Sequence, residues 1–288
     1  MDIAPVSPLT CPHDGAPLVR RNNTLVCPHK HSFDCAREGY VNLLVVQDKA
    51  SLDPGDSREM VAARQRFLAT GAYAPIAAVV CASVLALLQD HGDKRSYSVL
   101  DAGCGEGYYL GALATALAAH ARDTTVHLAG IDISKWAVKA AAKRALPVAW
   151  VVASNRRPPF APACIDLILC LFGFPIWPGF TAVQPAGAHV LLVDPGPDHL
   201  LELRRIIYPE VRIAERAPTA AVDGYSLVSE QRVLASAELH SPAVIADLLS
   251  MTPHAHRASV EGRVALVART ELAITIDVKL RVFRRTAT

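Results

Sequence analysis

Short, wholly apolar runs alternate along most of this chain with longer stretches in which apolar residues recur every three or four positions. The runs end at Val99 and Leu100, cover Val126 to Ile131, recur in VAWVVAS from Val148, in IDLILCLF from Ile165 to Phe172, and in HVLLVD from His189. Between them, Leu110 to Ala119, Lys135 to Arg144 and Leu200 to Ile207 carry a helical period. Strands that read as continuous apolar runs are buried on both faces, and their alternation with helices predicts a doubly wound parallel sheet that binds its ligand at the strands' C-terminal ends. Before this array, EGYVNLLVV from Glu38 to Val46 is strand-like, and the loop QDKASLDPGDS carries the turn formers Asp53, Pro54, Gly55 and Asp56. Asp56 and Glu59 have capping-box spacing for a helix through Ala69, with Arg58, Arg64 and Arg66 off its apolar face, read first as a solvated face and otherwise as phosphate contacts, and a second helix covers Pro75 to Leu88. In the final third, SLVSEQRVLASAEL and the alternating Ile274, Ile276, Val278, Leu280 and Val282 predict antiparallel strands that close the sheet, with SPAVIADLLSM a helix between them.

The first strand of the array runs into DAGCGEGYY. Gly103, Gly105 and Gly107 follow the acidic Asp101 at every second position, a spacing that lets backbone approach a ligand at the N-terminus of the next helix. It differs from the G-x-G-x-x-G of a dinucleotide turn and suits a zwitterionic ligand better. The second strand ends in Asp132, followed by Ile133, and a carboxylate at that tip can take both hydroxyls of a ribose. Asp101 would then face an ammonium group. Together these features predict S-adenosylmethionine as cofactor, with Ser154 and Asn155 at the end of the third strand near the adenine. GFPIWPGF, after the fourth strand, predicts an aromatic wall for the substrate, with Phe172, Phe174, Trp177 and Phe180 as stacking candidates.

Seven cysteines and no basic, apolar leader in MDIAPVSPLT lead to the expectation of a reduced, cytoplasmic protein. Cys11, Cys27 and Cys35 share one short segment with histidines. Its two Cys-Pro knuckles, with His31 four residues after Cys27, have zinc-ribbon character. Cys11, Cys27 and His31 would supply three ligands; Asp14 stands where a second cysteine is usual, so the fourth would be Asp14, His13 or Cys35, the other reading being a degenerate, metal-free ribbon held by packing. A net charge of +2 and 19% charged residues argue against a strong non-specific nucleic-acid binder, and 51% hydrophobic residues describe a globular chain without a run long enough to span a membrane. The reading divides the chain into a zinc-ribbon-like module over 1–45, a helical linker region over 46–90 and a methyltransferase domain over 91–288.

The combination of CP…CPxxH, HSFDCAREGYVNLL, DPGDS, DAGCGEGYY, GIDISKWAVKAAAKR and DPGPDHL resembles the bacterial 23S rRNA guanine-N1 methyltransferases along nearly the whole chain. The resemblance implies a Rossmann-like class I methyltransferase domain behind an N-terminal zinc module for RNA recognition. It also implies that Tyr73, Gly105, Glu106 and His199 contact S-adenosylmethionine and that Cys11, Cys27 and His31 bind metal. Two departures stand out: Asp14 in place of a cysteine, and GFPIWPGFTAVQPAGA in place of the family's loop after the fourth strand. They lead to the expectation of an N-methyltransferase acting on a ring nitrogen of a small planar heterocycle, purine-, azapteridine- or triazine-like. The alternative is a 23S rRNA guanine-N1 methyltransferase, and a more remote one a non-catalytic binder of S-adenosylmethionine; a homodimer is the assembly considered. Proton removal from such a nitrogen requires a base, and Asp53, Asp56 and Asp194 are candidates by position.

Overall fold

The computed structural model describes residues 1–48, 51, 53–90, 96–120, 124–211 and 221–287. Its centre is a nine-stranded sheet. β6 (Ser96–Ala102), β7 (Thr125–Asp132) and β8 (Ala149–Val152) run parallel on one side of the switch point, and β9 (Leu167–Leu171) and β10 (His189–Pro195) run parallel to them on the other. Beyond β10 the sheet turns antiparallel through β12 (Leu272–Arg285) and ends in the edge strand β11 (Tyr225–Leu239). Central strands follow the burial pattern expected of a two-sided parallel sheet: all five residues of β9 are buried, as are the last four of β6.

Helices cover both faces. α3 (Tyr108–Ala118) buries Leu110, Leu113, Ala114 and Leu117, an i, i+3, i+4, i+7 stripe. α4 (Lys135–Ala142) follows β7, and α6 (Leu201–Ile207) follows β10. α1 (Arg58–Ala69) and α2 (Ala74–Asp90) precede β6, while α7 (Pro242–Ser250) and α8 (Val260–Val267) lie between β11 and β12. Arg66 of α1 donates to both oxygens of Asp247 on α7 at 2.8 and 2.6 Å, which bolts the pre-sheet helices to the C-terminal region. No helix among the described residues is long and apolar enough to cross a membrane by itself.

The N-terminal segment is interleaved with this architecture. β2 (Val19–Arg21), β3 (Thr24–Val26) and β4 (Ser32–Asp34) form a separate antiparallel sheet. The strands that flank it, β1 (Asp2–Pro5) and β5 (Tyr40–Asn42), pair in parallel with β7 and β8 respectively. The ends of the expected 1–45 module therefore belong to the large sheet, and the boundary expected at residue 91 lies outside the described residues.

Three local expectations change. The strand expected over Glu38 to Val46 is only β5: the Leu43 N–H still donates to the Val152 carbonyl at 3.0 Å, but Val152 is the last residue of β8, and the Leu44 N–H turns to the Asn42 side chain at 3.1 Å. The cap of α1 is Ser57, whose hydroxyl accepts the Met60 N–H, while Asp56 is drawn away into an ion pair with Arg64. The stretch expected as a cavity wall winds into a short helix, α5 (Trp177–Val183), with Pro178 in its first turn.

Trp150 of β8 fixes how closely β7 and the glycine turn approach. A Cβ on Gly130 would stand 2.5 Å from the Trp150 ring, and one on Gly107 2.8 Å from it. Both glycines are required by packing. Gly130→Ala is expected to cost about 1–3 kcal/mol, seen as a melting temperature several degrees lower in calorimetry; an unchanged melting temperature would refute this packing constraint.

Candidate functional site

At the C-terminal ends of β6 to β10, a cavity of about 1940 Å³ opens across the switch point. One end is built by the glycine turn. Gly103 (φ +100°) and Gly105 (φ +54°) have left-handed backbone that an L side chain resists. Space in front of them is open: a Cβ on Gly103 would meet nothing within 4 Å, and one on Gly105 only the Arg64 guanidinium at 3.7 Å. Asp132 joins the tips of β6 and β7, its carboxylate accepting the Gly105 N–H at 2.9 Å and the Ser134 N–H at 2.8 Å. Burial raises its pKa, and these two amides oppose that shift. Ile133, Ser154 and Asn155 line the same end.

Asp101 lies beneath the turn instead of on the cavity surface, with both carboxylate oxygens buried and without a hydrogen-bond partner. Burial, and then the nearby Asp132 charge, push its pKa up to about 8. The Tyr109 hydroxyl is likewise buried without a partner. Open space before two left-handed glycines, together with an unsatisfied carboxyl behind them, fits a ligand that brings cationic and anionic groups to this turn, as S-adenosylmethionine does. Glu106 lines the cavity with its backbone neighbours, but its side chain is buried against Arg144 and leaves Oε1 without a partner. Gly107 is not part of the cradle; it makes room for Trp150.

An aromatic and imidazole group stands at the middle of the cavity. Tyr73, in the turn between α1 and α2, has its hydroxyl 3.0 Å from His199 Nε2, and the Asp277 N–H donates to His199 Nδ1 at 3.3 Å. Burial lowers the His199 pKa to about 4, so the imidazole is neutral. With Nδ1 accepting, the ring proton sits on Nε2 and is donated to the tyrosine oxygen, which turns the Tyr73 hydroxyl hydrogen towards the cavity. Phe172, at φ +56° immediately after β9, stacks on Tyr73 with ring centroids 6.0 Å apart, and Phe174 at the mouth is 86% exposed.

Trp177 and Phe180 are not on the cavity wall. Trp177 packs against Tyr225 at 4.8 Å and Phe283 at 5.3 Å, and Phe180 is fully buried. Their positions follow from α5, which lies so close to the turn after β8 that a Cβ on Gly179 would stand 2.0 Å from the Asn155 carbonyl oxygen; the apolar face of so close a helix turns into the core. Of the candidate bases, Asp53 is outside the cavity, bonded to the Trp136 indole N–H at 2.8 Å and near Lys135. Asp56 lines the glycine-turn end, paired with Arg64, and Asp194 lines the opposite end beside Phe172, paired with Arg281.

Sequence reasoning missed several cations. Arg64, expected on a solvated face, reaches into the cavity and also donates to the Met251 carbonyl at 3.0 Å. Arg204, Arg232, Arg257, Lys279 and Arg281 line the far end. One signal was present: Asp277, Lys279 and Arg281 occupy the alternate positions of β12, between residues that face the core.

A second cluster lies in the N-terminal sheet. Single donor atoms of Cys11, Asp14, Cys27 and His31 all lie within 4.8 Å of one another. His31 Nδ1 is 3.5 Å from Cys11 Sγ, 3.4 Å from Cys27 Sγ and 3.0 Å from Asp14 Oδ2, and Cys27 Sγ is 3.3 Å from Asp14. Zinc–sulfur bonds of about 2.3 Å and zinc–nitrogen bonds of about 2.0 Å place the donors of one tetrahedron roughly 3.3–3.8 Å apart, so the group fits a four-coordinate ion. Of the three candidates for fourth donor, Asp14 is the one brought into the cluster. His13 stacks on Phe33 at 6.0 Å, and Cys35 bonds through its backbone to Asn23.

Comparison with known proteins finds a family for each part of the chain. A zinc-ribbon family model described as "RlmA, N-terminal" matches residues 9–52, and one described as "Methyltransferase domain" matches residues 99–191. A Micromonospora griseorubida protein named for 23S rRNA (guanine-N(1)-)-methyltransferase activity is 37% identical over 211 residues, covering 68% of each chain. A Bacillus subtilis protein named in the same way, YxjB, is 30% identical over 89% of each chain. The 23S rRNA (guanine(748)-N(1))-methyltransferase of Streptomyces fradiae is 34% identical over 68% of this chain and 66% of its own.

Two measurements probe these geometries. A carboxyl with its pKa raised in the fold holds a proton that the unfolded chain releases near pH 4, so stability is lost as pH rises from there to about 8. Asp101→Asn, which cannot ionise, is therefore expected to gain stability relative to the parent ligand-free protein across that window and to bind S-adenosylmethionine more weakly; parallel pH–stability curves would reject the buried-carboxyl account. For the metal cluster, Asp14→Ala is expected to lower zinc content below one per chain and Asp14→Cys to restore it, read by elemental analysis after dialysis. Full zinc retention by Asp14→Ala would remove Asp14 from the ligand set.

Proposed function

Because the chain belongs to the 23S rRNA (guanine-N1) methyltransferase family, we propose that it methylates N1 of a guanine in large-subunit ribosomal RNA. It is an S-adenosylmethionine-dependent methyltransferase of Rossmann-like class I architecture with an N-terminal zinc-ribbon module. Bound there, S-adenosylmethionine supplies an electrophilic methyl group on its sulfonium sulfur. In this reading the open glycine turn at Gly103 and Gly105 makes room for it, the Asp132 carboxylate and the Tyr73 hydroxyl hold it, and Ser154 and Ile133 flank its adenosine.

The observation that carries the choice of substrate is the size of the cavity. Small-molecule sites occupy about 300–1,000 Å³; this one is about 1940 Å³ and open at a mouth lined by arginines. After the cofactor is seated, room remains for a nucleotide and its neighbours. Both departures that favoured a small heterocycle also lose their force. The altered loop packs Trp177 and Phe180 into the core, and Asp14 completes a donor set in place of abandoning it.

Transfer in line from sulfur to nitrogen depends on holding the two atoms aligned. Phe172, locked in left-handed backbone by its N–H bond to the Val193 carbonyl at 2.8 Å, and the exposed Phe174 are the stacking surfaces for the base. The lactam N1–H must lose its proton as the bond forms, and Asp194 is the acceptor we infer: it is next to Val193 and lines the substrate end, whereas Asp56 lies at the cofactor end.

Labelled S-adenosylmethionine offered in parallel to unmodified 23S rRNA and to small purine- and triazine-like heterocycles tests the reading. Label is expected in the RNA, with a reverse-transcription stop at one guanine, and in none of the heterocycles. Label in a heterocycle with the RNA blank would overturn it. Asp194→Asn is expected to lower kcat at least tenfold with little change in cofactor affinity.

A further inference from the structure

Several cations at and beside the cavity are held by carboxylates. Arg64 is held by Asp56, Arg144 by Glu106, Arg281 by Asp194, and Arg232 by Asp277 at 2.7 Å and Asp198 at 3.0 Å. Lys279 and Arg257 also line the cavity, and among the described residues neither has a carboxylate within ion-pair distance.

The setting of Lys279 is unfavourable on its own. It stands directly opposite Arg232 across the β11–β12 ladder, and like charges in that relation repel. Its other cross-strand neighbour, Asp194 on β10, is occupied by Arg281. The side chain is half-buried on the cavity floor, where water relieves the repulsion less than at an open surface. Arg257, which also lines the cavity, follows the short 3-10 helix Pro253–His256; burial, and then Arg204 and Arg257, lower the His254 pKa. Cations from β12 and from the turn after that 3-10 helix thus line one cavity, together with the exposed Glu230, and among the described residues no carboxylate lies within ion-pair distance of Lys279 or Arg257. An anion from outside would relieve both.

We propose that this part of the cavity is a phosphate-backbone site, in which Lys279 and Arg257 hold phosphates of the RNA strand on either side of the target guanine. The proposal rests on the guanine-N1 reading above. It assigns to the C-terminal antiparallel strands, and not only to the N-terminal ribbon, a part in holding RNA. The contacts are to phosphate and so set position without reading the base.

The test is the salt dependence of binding to an unmodified 23S rRNA transcript, with wild type compared with K279Q/R257Q. Each lost phosphate contact in a single strand lowers the slope of log K against log salt by about 0.7, so the double variant is expected to show a slope shallower by about 1.4 and an affinity at least several-fold weaker at moderate salt. S-adenosylmethionine affinity, which reports on folding, should stay at the wild-type value; if the double variant loses it, the single variants K279Q and R257Q carry the comparison, each with half the change. Wild type that methylates the RNA, with variants that keep its affinity and slope, would overturn the backbone site alone. Wild type that neither binds nor methylates the RNA would overturn the guanine-N1 reading, and this site with it.

Discussion

The hydrogen bond from the Gly105 amide to the Asp132 carboxylate, 2.9 Å long and partly buried, is the interaction on which the cofactor end depends. It ties the turn after β6 to the tip of β7, and the second oxygen of Asp132 takes the Ser134 amide at the start of α4. A buried carboxylate is tolerable only when such donors compensate for lost water. Here the donors are the backbone of the glycine turn and the next helix, so holding the charge also fixes the shape of the cradle. Asp101, one strand away, receives no such compensation and sits beneath the turn with both oxygens unbonded. The fold itself thus compensates Asp132 and leaves Asp101 uncompensated.

Around that bond the chain folds a strap. Ser134 donates through its hydroxyl to the Asp56 carbonyl at 2.7 Å, and Gly55 lies against Ser134 so closely that a Cβ there would stand 2.8 Å from its Cβ. From the strap, α1 carries Arg64 over the glycine turn and Arg66 to Asp247 on α7. The helices before the sheet and those between its last strands are thereby joined, and the cavity between them becomes one continuous space from cofactor cradle to cationic end. Ion pairs at partly exposed positions contribute little individually; their effect here is to fix geometry, because Arg64 touches the strap and the end of α7 at once.

The N-terminal module obeys the same logic with a different donor set. Its three short strands have too little core to hold them unaided, and β2 is exposed at every position. Two thiols, an imidazole and a carboxylate converge in its place. Pairing of β1 with β7 and of β5 with β8 anchors both ends of the module to the large sheet. The ribbon is consequently held in a fixed relation to the strands whose tips build the site.

Much of this was legible in local sequence. A run of apolar residues, glycines at alternate positions and an acidic residue at the next strand's end determine the strand-turn-helix, the cofactor cradle and the place of Asp132, because backbone conformation and two-sided burial are set by near neighbours. Cys11, Cys27 and His31 were readable for the same reason: their spacing lies within one small hairpin. What only the tertiary structure decided involves residues distant in sequence. Trp177 and Phe180 looked like cavity residues until a short helix turned them against Tyr225 and Phe283, and Asp56 looked like a cap until Arg64 drew it away. Asp14 was one of three candidate donors until the hairpin closed around it. Lys279, Arg232 and Arg257, from three separate elements, line one cavity, and Lys279 lies beside Arg232 because β12 inserts between β10 and β11. A sequence pattern reports which face of an element is buried; which faces then meet is fixed only when the whole sheet is assembled and long-range packing selects the partners.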